Sequence, residues 1–387
     1  MIFVLCLLGL IFMPISLKFL SLPYLWIGLA WTFIFFVLMM VAKRQHKTTL
    51  TAIYFNIAIV TLFLAGTEIF FWSSSPASHE KSTGDYWTPM MFKRDALLGF
   101  APEKNVKNVV GERYLNDKFV FKMSVSTDQH GLRKSFPISD KVKEAFIFFG
   151  CSFGFGVGIN DDETLPYQVG SKLNGGVNVY NFAYGGYGPQ QMLSALEQGL
   201  VEKIVVEKPI HAFYVAISHH VERSAGLTSW NINDPKYELD NKGQIYYAGH
   251  FNDKMSNLPV WLQRCHDQLG KSFLWRKIES SQSRKLNDHD IERYVQMVLK
   301  AKTLFEKRYP DGKFHIVYWD LKETPEREAL SNKVLAGLQK NQIPLYLVSN
   351  IIPNFKTTQD LYLIPNDGHP TPRANELIAN YIAREWG

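Results

Sequence analysis

Hydrophobic positions along this chain fall into two regimes. Over the first 72 residues they run almost unbroken, and Lys18, Lys43, Arg44, Lys47 and Glu68 are the only charges. Phe19–Val41 carries no charge and is long enough to cross about 30 Å of hydrocarbon. Leu50–Trp72 is long enough too, and its single acid, Glu68, is expected near one end, within reach of water. Met1–Leu17 is shorter and holds Pro14. It lacks the basic start and small-residue cleavage site of a signal peptide, so two to three transmembrane helices are expected. The short basic loop Ala42–Lys47 belongs in the cytoplasm. Everything after Trp72 is then extracytoplasmic, on the outer side of a bacterial inner (plasma) membrane.

Beyond Trp72 the pattern changes to that of a water-soluble domain. Residues 73–84 are small and polar and read as a linker. From 85 to 140 apolar and polar residues alternate between turn residues, with a strand over Phe119–Val125, which predicts a small β-rich extension. From 141 onward, strand and helix signals alternate. Ala145–Phe149 is the continuous apolar run of a strand buried on both faces. Val177–Phe182, Ile210–Ile217, Phe314–Trp319 and Leu345–Val348 follow as strands. Helices are expected over Thr164–Leu173, Gln190–Val206, Asp290–Tyr309, Arg327–Gln339 and Pro372–Trp386. This order predicts an α/β domain with a doubly wound, five-stranded parallel sheet. The alternation lapses over about 223–285, which reads as an insertion near the active face.

Charge narrows the classes of function. The formal net charge is +6, but without the first 72 residues 38 Lys and Arg face 35 Asp and Glu. No basic footprint for nucleic acid remains. Cys6, Cys151 and Cys265 show no metal-site or disulfide spacing, and no cofactor motif is present.

In open parallel sheets, chemistry gathers at the carboxyl ends of the strands. After the first strand comes Gly150-Cys151-Ser152-Phe153-Gly154. A serine between glycines on a strand-to-helix turn can expose its hydroxyl and leave N–H groups free for an oxyanion. After the second comes Asn181-Phe182-Ala183-Tyr184-Gly185-Gly186, whose glycines allow close backbone approach to a ligand. Before the last helix comes Asp367-Gly368-His369-Pro370. An Asp beside a His can fix its tautomer and free the other ring nitrogen as general base. The third strand ends in Ser218-His219-His220. Counting by alternation, His220 faces the site and His219 the other side.

Together these blocks resemble the SGNH/GDSL hydrolase superfamily over roughly Ala145–Trp386. The family's Gly-Asp-Ser-Leu corresponds to Gly150-Cys151-Ser152-Phe153, with Cys151 in place of the Asp. Its second-block Asn and Gly correspond to Asn181 and Gly186. Its Asp-x-x-His appears one residue tighter, as Asp367 through His369. Its Gly-x-Asn-Asp block has no Asn here, and His219 and His220 stand in that place. The resemblance implies Ser152, Asp367 and His369 as a catalytic triad. The oxyanion hole would be the N–H groups of Ser152 and Gly186 with the ring of His220; Asn181 and His219 would support it.

The implied activity is that of a membrane-anchored serine esterase on an ester-bearing envelope glycan or lipid, among membrane acyl-transfer or envelope-assembly partners. An O-acyltransferase for envelope polysaccharide shares the acyl-enzyme, and a non-catalytic glycan-binding protein is the alternative outside enzymes. An α/β-hydrolase reading of Gly-x-Ser-x-Gly fits less well, because the serine opens the domain. Cys151 as nucleophile would displace Ser152 from the family's position.

Overall fold

The computed structural model describes residues 23–74, 82–84, 92–228, 230–253, 259, 261–262, 268–270, 272–282 and 284–387. The first apolar run, Cys6 and Cys265 lie outside them. The chain divides into two units, 1–81 with 256–284, and 82–255 with 285–387.

The first unit is built on α1 (Pro23–Arg44) and α2 (Thr48–Ser73). At 22 and 26 residues they measure roughly 33 and 39 Å, and both are apolar enough to cross a membrane. Small residues let them pack closely. A Cβ added at Gly28 would sit 2.9 Å from that of Ala65, and the hydroxyls of Thr32 and Thr61 meet at 2.9 Å.

Glu68 departs from expectation. Its side chain is buried rather than wet. It accepts from the Ser272 hydroxyl at 2.9 Å and from the N–H groups of Phe273 and Leu274 at 2.7 and 2.9 Å. These groups open the helix Phe273–Gln282, so the acid caps a helix N-terminus. The stretch expected as one insertion is therefore divided: 256–284 belongs with α1 and α2, and 223–255 with the second unit.

The second unit opens with an antiparallel extension: β1 (Lys93–Asp95) with β2 (Gly99–Ala101), and β3 (Val109–Leu115) with β4 (Lys118–Val125). Ser82 and Thr83, expected in the linker, pair with Leu115 and Tyr114. Then come β5 (Glu144–Gly150), α3 (Ser152–Phe155), α4 (Leu165–Lys172), β6 (Asn178–Asn181), α5 (Pro189–Glu197), β7 (Lys208–Ile217) and α6 (His220–Ser224). The hairpin of β8 (Pro235–Leu239) and β9 (Ile245–His250) leads to α7 (Asp288–Arg308), β10 (Lys313–Trp319), α8 (Pro325–Lys340), β11 (Leu345–Leu347) and α9 (Pro372–Trp386). The helix expected over Gln190–Val206 breaks at Gly199, which takes a left-handed φ of 66°.

The sheet order is β11-β10-β7-β5-β6, all parallel. In chain order this is 2-1-3-4-5, the flavodoxin-like winding, in which ligands bind outside the carboxyl ends of the first and third strands. Both faces are covered. Ile147, Phe149, Tyr214 and Ile316 enter one apolar cluster, which also takes Phe121 and Met123 of the extension. Phe146, Phe148, Phe213 and Val317 enter the other, against α4 and α9.

Candidate active site

The turn after β5 is set by close packing. Gly150 has φ 146°, and a Cβ there would meet the Val215 carbonyl oxygen at 2.7 Å. A Cβ at Gly154 would meet that of Ala183 at 2.9 Å. Between them Cys151 is extended and Ser152 is the first residue of α3. Asn181 fastens the arrangement: its amide donates to the Gly154 carbonyl at 3.1 Å and its oxygen accepts from Ala183 N–H at 3.1 Å. It is buried and acts as a strut. Cys151 is a free, fully buried thiol in the core behind this turn.

A second strut was not visible in the sequence. Arg133, 1% exposed, donates to the carbonyls of Phe155 at 2.9 Å, Gly156, and Ile159 at 2.7 Å, and pairs with Asp161 at 3.0 Å. It therefore holds the loop that leaves the serine turn.

Asp367 and His369 meet as expected, and the tight spacing is sufficient. Asp367 N–H and Gly368 N–H both donate to the Ile364 carbonyl, at 3.1 and 2.9 Å, which curls the loop. One Asp367 oxygen then takes both the His369 ring Nδ1 and the His369 backbone N–H, the latter at 3.2 Å. A carboxylate accepts from Nδ1 only when Nδ1 carries the proton, so Nε2 is left to take one. The other oxygen takes Arg113 of β3, a residue 254 positions away. The Asp367 side chain is 1% exposed. Burial alone would raise its carboxyl, but His369 and Arg113 outweigh that and hold it below the ordinary carboxylate range.

Ser152, Gly186 and His369 line one cavity of about 690 Å³, with Phe100, Arg223 and Trp230 among its other walls. Gly186 has φ 86°, and a Cβ there would crowd Trp230 and Phe100 at 3.2–3.3 Å. His369 sits with its ring 5.5 Å from that of Phe153. No hydrogen bond joins Ser152 to His369 among the described contacts; such bonds commonly tighten only when substrate is bound. A serine and an oriented imidazole on one cavity suit nucleophilic attack on an acyl carbonyl.

His220 does not belong to this cavity. It is fully buried, with Nδ1 2.6 Å from the Tyr214 hydroxyl and its ring stacked on Tyr214. Burial, with Arg223 and His219 nearby, pushes its pKa well below the usual value. Alternation fails because the strand ends at Ile217 and the chain turns into α6, where side chains follow a helical period. His219 lies 3.6 Å from Glu323, also off the cavity. The residue of this segment that does reach the cavity is Arg223.

No family model matches the chain, and no match to a curated protein is found. Solved structures do resemble it. One is described as lipolytic and of the G-D-S-L family, from Desulfitobacterium hafniense: 10% identity, TM-score 0.32, 62% of this chain and 98% of that one. A carbohydrate acetylesterase from Sinorhizobium meliloti gives 10% identity and TM-score 0.33, over 63% and 98%. An acetyl xylan esterase from Butyrivibrio proteoclasticus gives 11% identity and TM-score 0.34, over 72% and 84%. These are likenesses of fold; the strand order, the cavity shared by Ser152 and His369, and the Asp367–His369 bond are features of this chain's own geometry.

Proposed function

We propose that this chain is a membrane-anchored, extracytoplasmic serine esterase that removes ester-linked acyl groups from a cell-envelope glycan or lipid. Ser152 is the nucleophile, His369 the base that takes its proton, and Asp367 the carboxylate that fixes the imidazole. The N–H groups of Ser152 and Gly186 serve the oxyanion, and His220 has no part. Ester and water enter, acid and alcohol leave, and the acyl group rests on Ser152 between the two steps.

The observation that carries this reading is the convergence of Ser152, Gly186 and His369 on one cavity while a buried Asp367 binds the far side of the imidazole. The test is labelling of the full chain with a fluorophosphonate probe. Wild type should label, and Ser152→Ala should not. Labelling that survives in Ser152→Ala and is lost in Cys151→Ala would overturn the assignment. The anchor half is tested by topology: a reporter active only outside the cytoplasm, fused after Gly387, should be active.

A further inference from the structure

The cavity has a marked charge bias. Lys93, Arg94 and Arg223 line it, and no Asp or Glu does among the described residues. Lys93 is shared with Glu103, on the exposed rim. Arg223 differs from these two. It is only 8% exposed, and its Nε is buried without a hydrogen-bond partner. One of its amino groups donates to the Tyr187 carbonyl at 2.7 Å, which orients the guanidinium but does not neutralise it.

Asp234, whose carboxyl feels the Arg223 charge, compensates it poorly. Asp234 is buried and is held by Gln190 at 3.1 Å and by Asn231, with no ion pair to Arg223 among the described contacts. Burial pushes the Asp234 carboxyl up to about 7 against those hydrogen bonds and the Arg223 charge, so near neutral pH it is only partly ionised. A buried guanidinium without a full counter-charge is costly. Its planar fork is suited to a carboxylate or phosphate. Phe100 and Trp230 on the same cavity offer ring surface for the apolar faces of a sugar.

We propose that Arg223 is an anion-binding subsite, and that the ester presented to Ser152 is borne on an anionic glycan whose carboxylate or phosphate Arg223 holds. This rests on the esterase reading for the role of Ser152. Arg223 binds the part of the substrate beyond the reacting ester and sets specificity.

The test measures binding without turnover, with the full chain in detergent carrying Ser152→Ala. Three probes of matched length are titrated by calorimetry: a partly acetylated oligogalacturonide, an acetylated glycerol-phosphate oligomer, and an acetylated neutral xylo-oligosaccharide. At low salt at least one anionic probe should bind tenfold or more tighter than the neutral one; which one does so identifies carboxylate or phosphate. Arg223→Gln should abolish that preference, and Arg223→Lys should keep part of it. Equal binding of all three probes would overturn the subsite. So would an equal loss of all three in Arg223→Gln, which would make Arg223 a wall of the cavity. Should neither variant fold, the unchanged Arg223 chain decides. Its affinity for the anionic probe must weaken several-fold as salt rises from about 50 to about 500 mM, with the neutral probe unaffected; salt-independent binding would overturn the subsite. Fluorophosphonate labelling without anion preference would leave the esterase standing and remove the subsite. Anion preference without labelling would do the reverse.

Discussion

Arg113→Met offers the sharpest probe of the proposed triad, because Arg113 does not line the cavity. Its guanidinium binds the outer oxygen of Asp367, whose inner oxygen holds His369. The side chains are 20% and 1% exposed. Removing one partner of a buried pair costs about 3–5 kcal/mol. Arg113 is partly wet and Asp367 keeps both bonds from His369, so we expect about 2–3 kcal/mol, roughly a 30- to 150-fold loss in the folded-to-unfolded ratio. The effect on pH has a definite sign. In the native protein the Asp367 carboxyl is depressed, so its contribution to stability is present above the ordinary carboxylate value of 3.8 and is lost as pH falls through the folded value. Without Arg113 one of the groups that hold the carboxyl down is lost, so it protonates at a higher pH than in the native protein. The acid limb of kcat/KM should move upward, and Arg113→Lys should lie between the variant and wild type. Adding Asp367→Asn to Arg113→Met should cost less than the two single losses together. Denaturant unfolding and a p-nitrophenyl acetate pH profile measure both effects. Unchanged stability together with an unchanged acid limb would refute the reasoning.

The other predictions concern separate parts of the chain. Ser152→Ala and His369→Ala should each abolish most ester turnover, and the double variant should lose little more, since the pair acts as a unit; additive losses would argue against a shared mechanism. Glu68→Ala removes the acceptor for three donors at the start of Phe273–Gln282. Limited proteolysis should then cut within 256–284 much faster than in wild type, and an unchanged pattern would dismiss the cap. Half-buried His211 and buried His315 touch at 2.8 Å, and burial lowers them to about 4 and about 3. Because the unfolded chain takes up those protons first, stability should fall as pH drops from about 6.5 toward about 4. His315→Gln should flatten that slope, and an equal slope in the variant would exclude the pair as its source.

Much of the fold was readable because one physical pattern dominated each segment. Ala145–Phe149 is an unbroken apolar run and Phe314–Trp319 is broken only by His315, because both faces of a parallel sheet are covered, and the structure extends each by one or two residues. Helix α9 spans Pro372–Trp386 as expected, because Thr371 caps it and Pro372 occupies its first turn. Reading failed where tertiary contact decides. Glu68 looked like an acid kept near water, yet its partners, Ser272 to Leu274, are over 200 positions away. The same contact explains why the stretch from 223 to 285 could not be read as one insertion, since its later part shares a unit with α1 and α2.

For the candidate site, the boundary runs between the proposed reacting groups and the groups that hold them. Ser152, Asp367 and His369 were legible because each sits in a short local pattern that ends a strand or precedes a helix. The supports were not, because no local pattern marks them: Arg133 reaches the serine turn and Arg113 reaches Asp367 from the extension that precedes the sheet. Both arginines exchange hydration for carbonyl or carboxylate partners in places that a truncated domain would leave open. The extension at 92–140 is therefore part of the candidate active site. Shortening the chain to begin at Glu144, where the sheet begins, would remove the counter-charge of Asp367 and the strut of the Ser152 turn together, leaving Ser152 and His369 present in sequence but no longer held for catalysis.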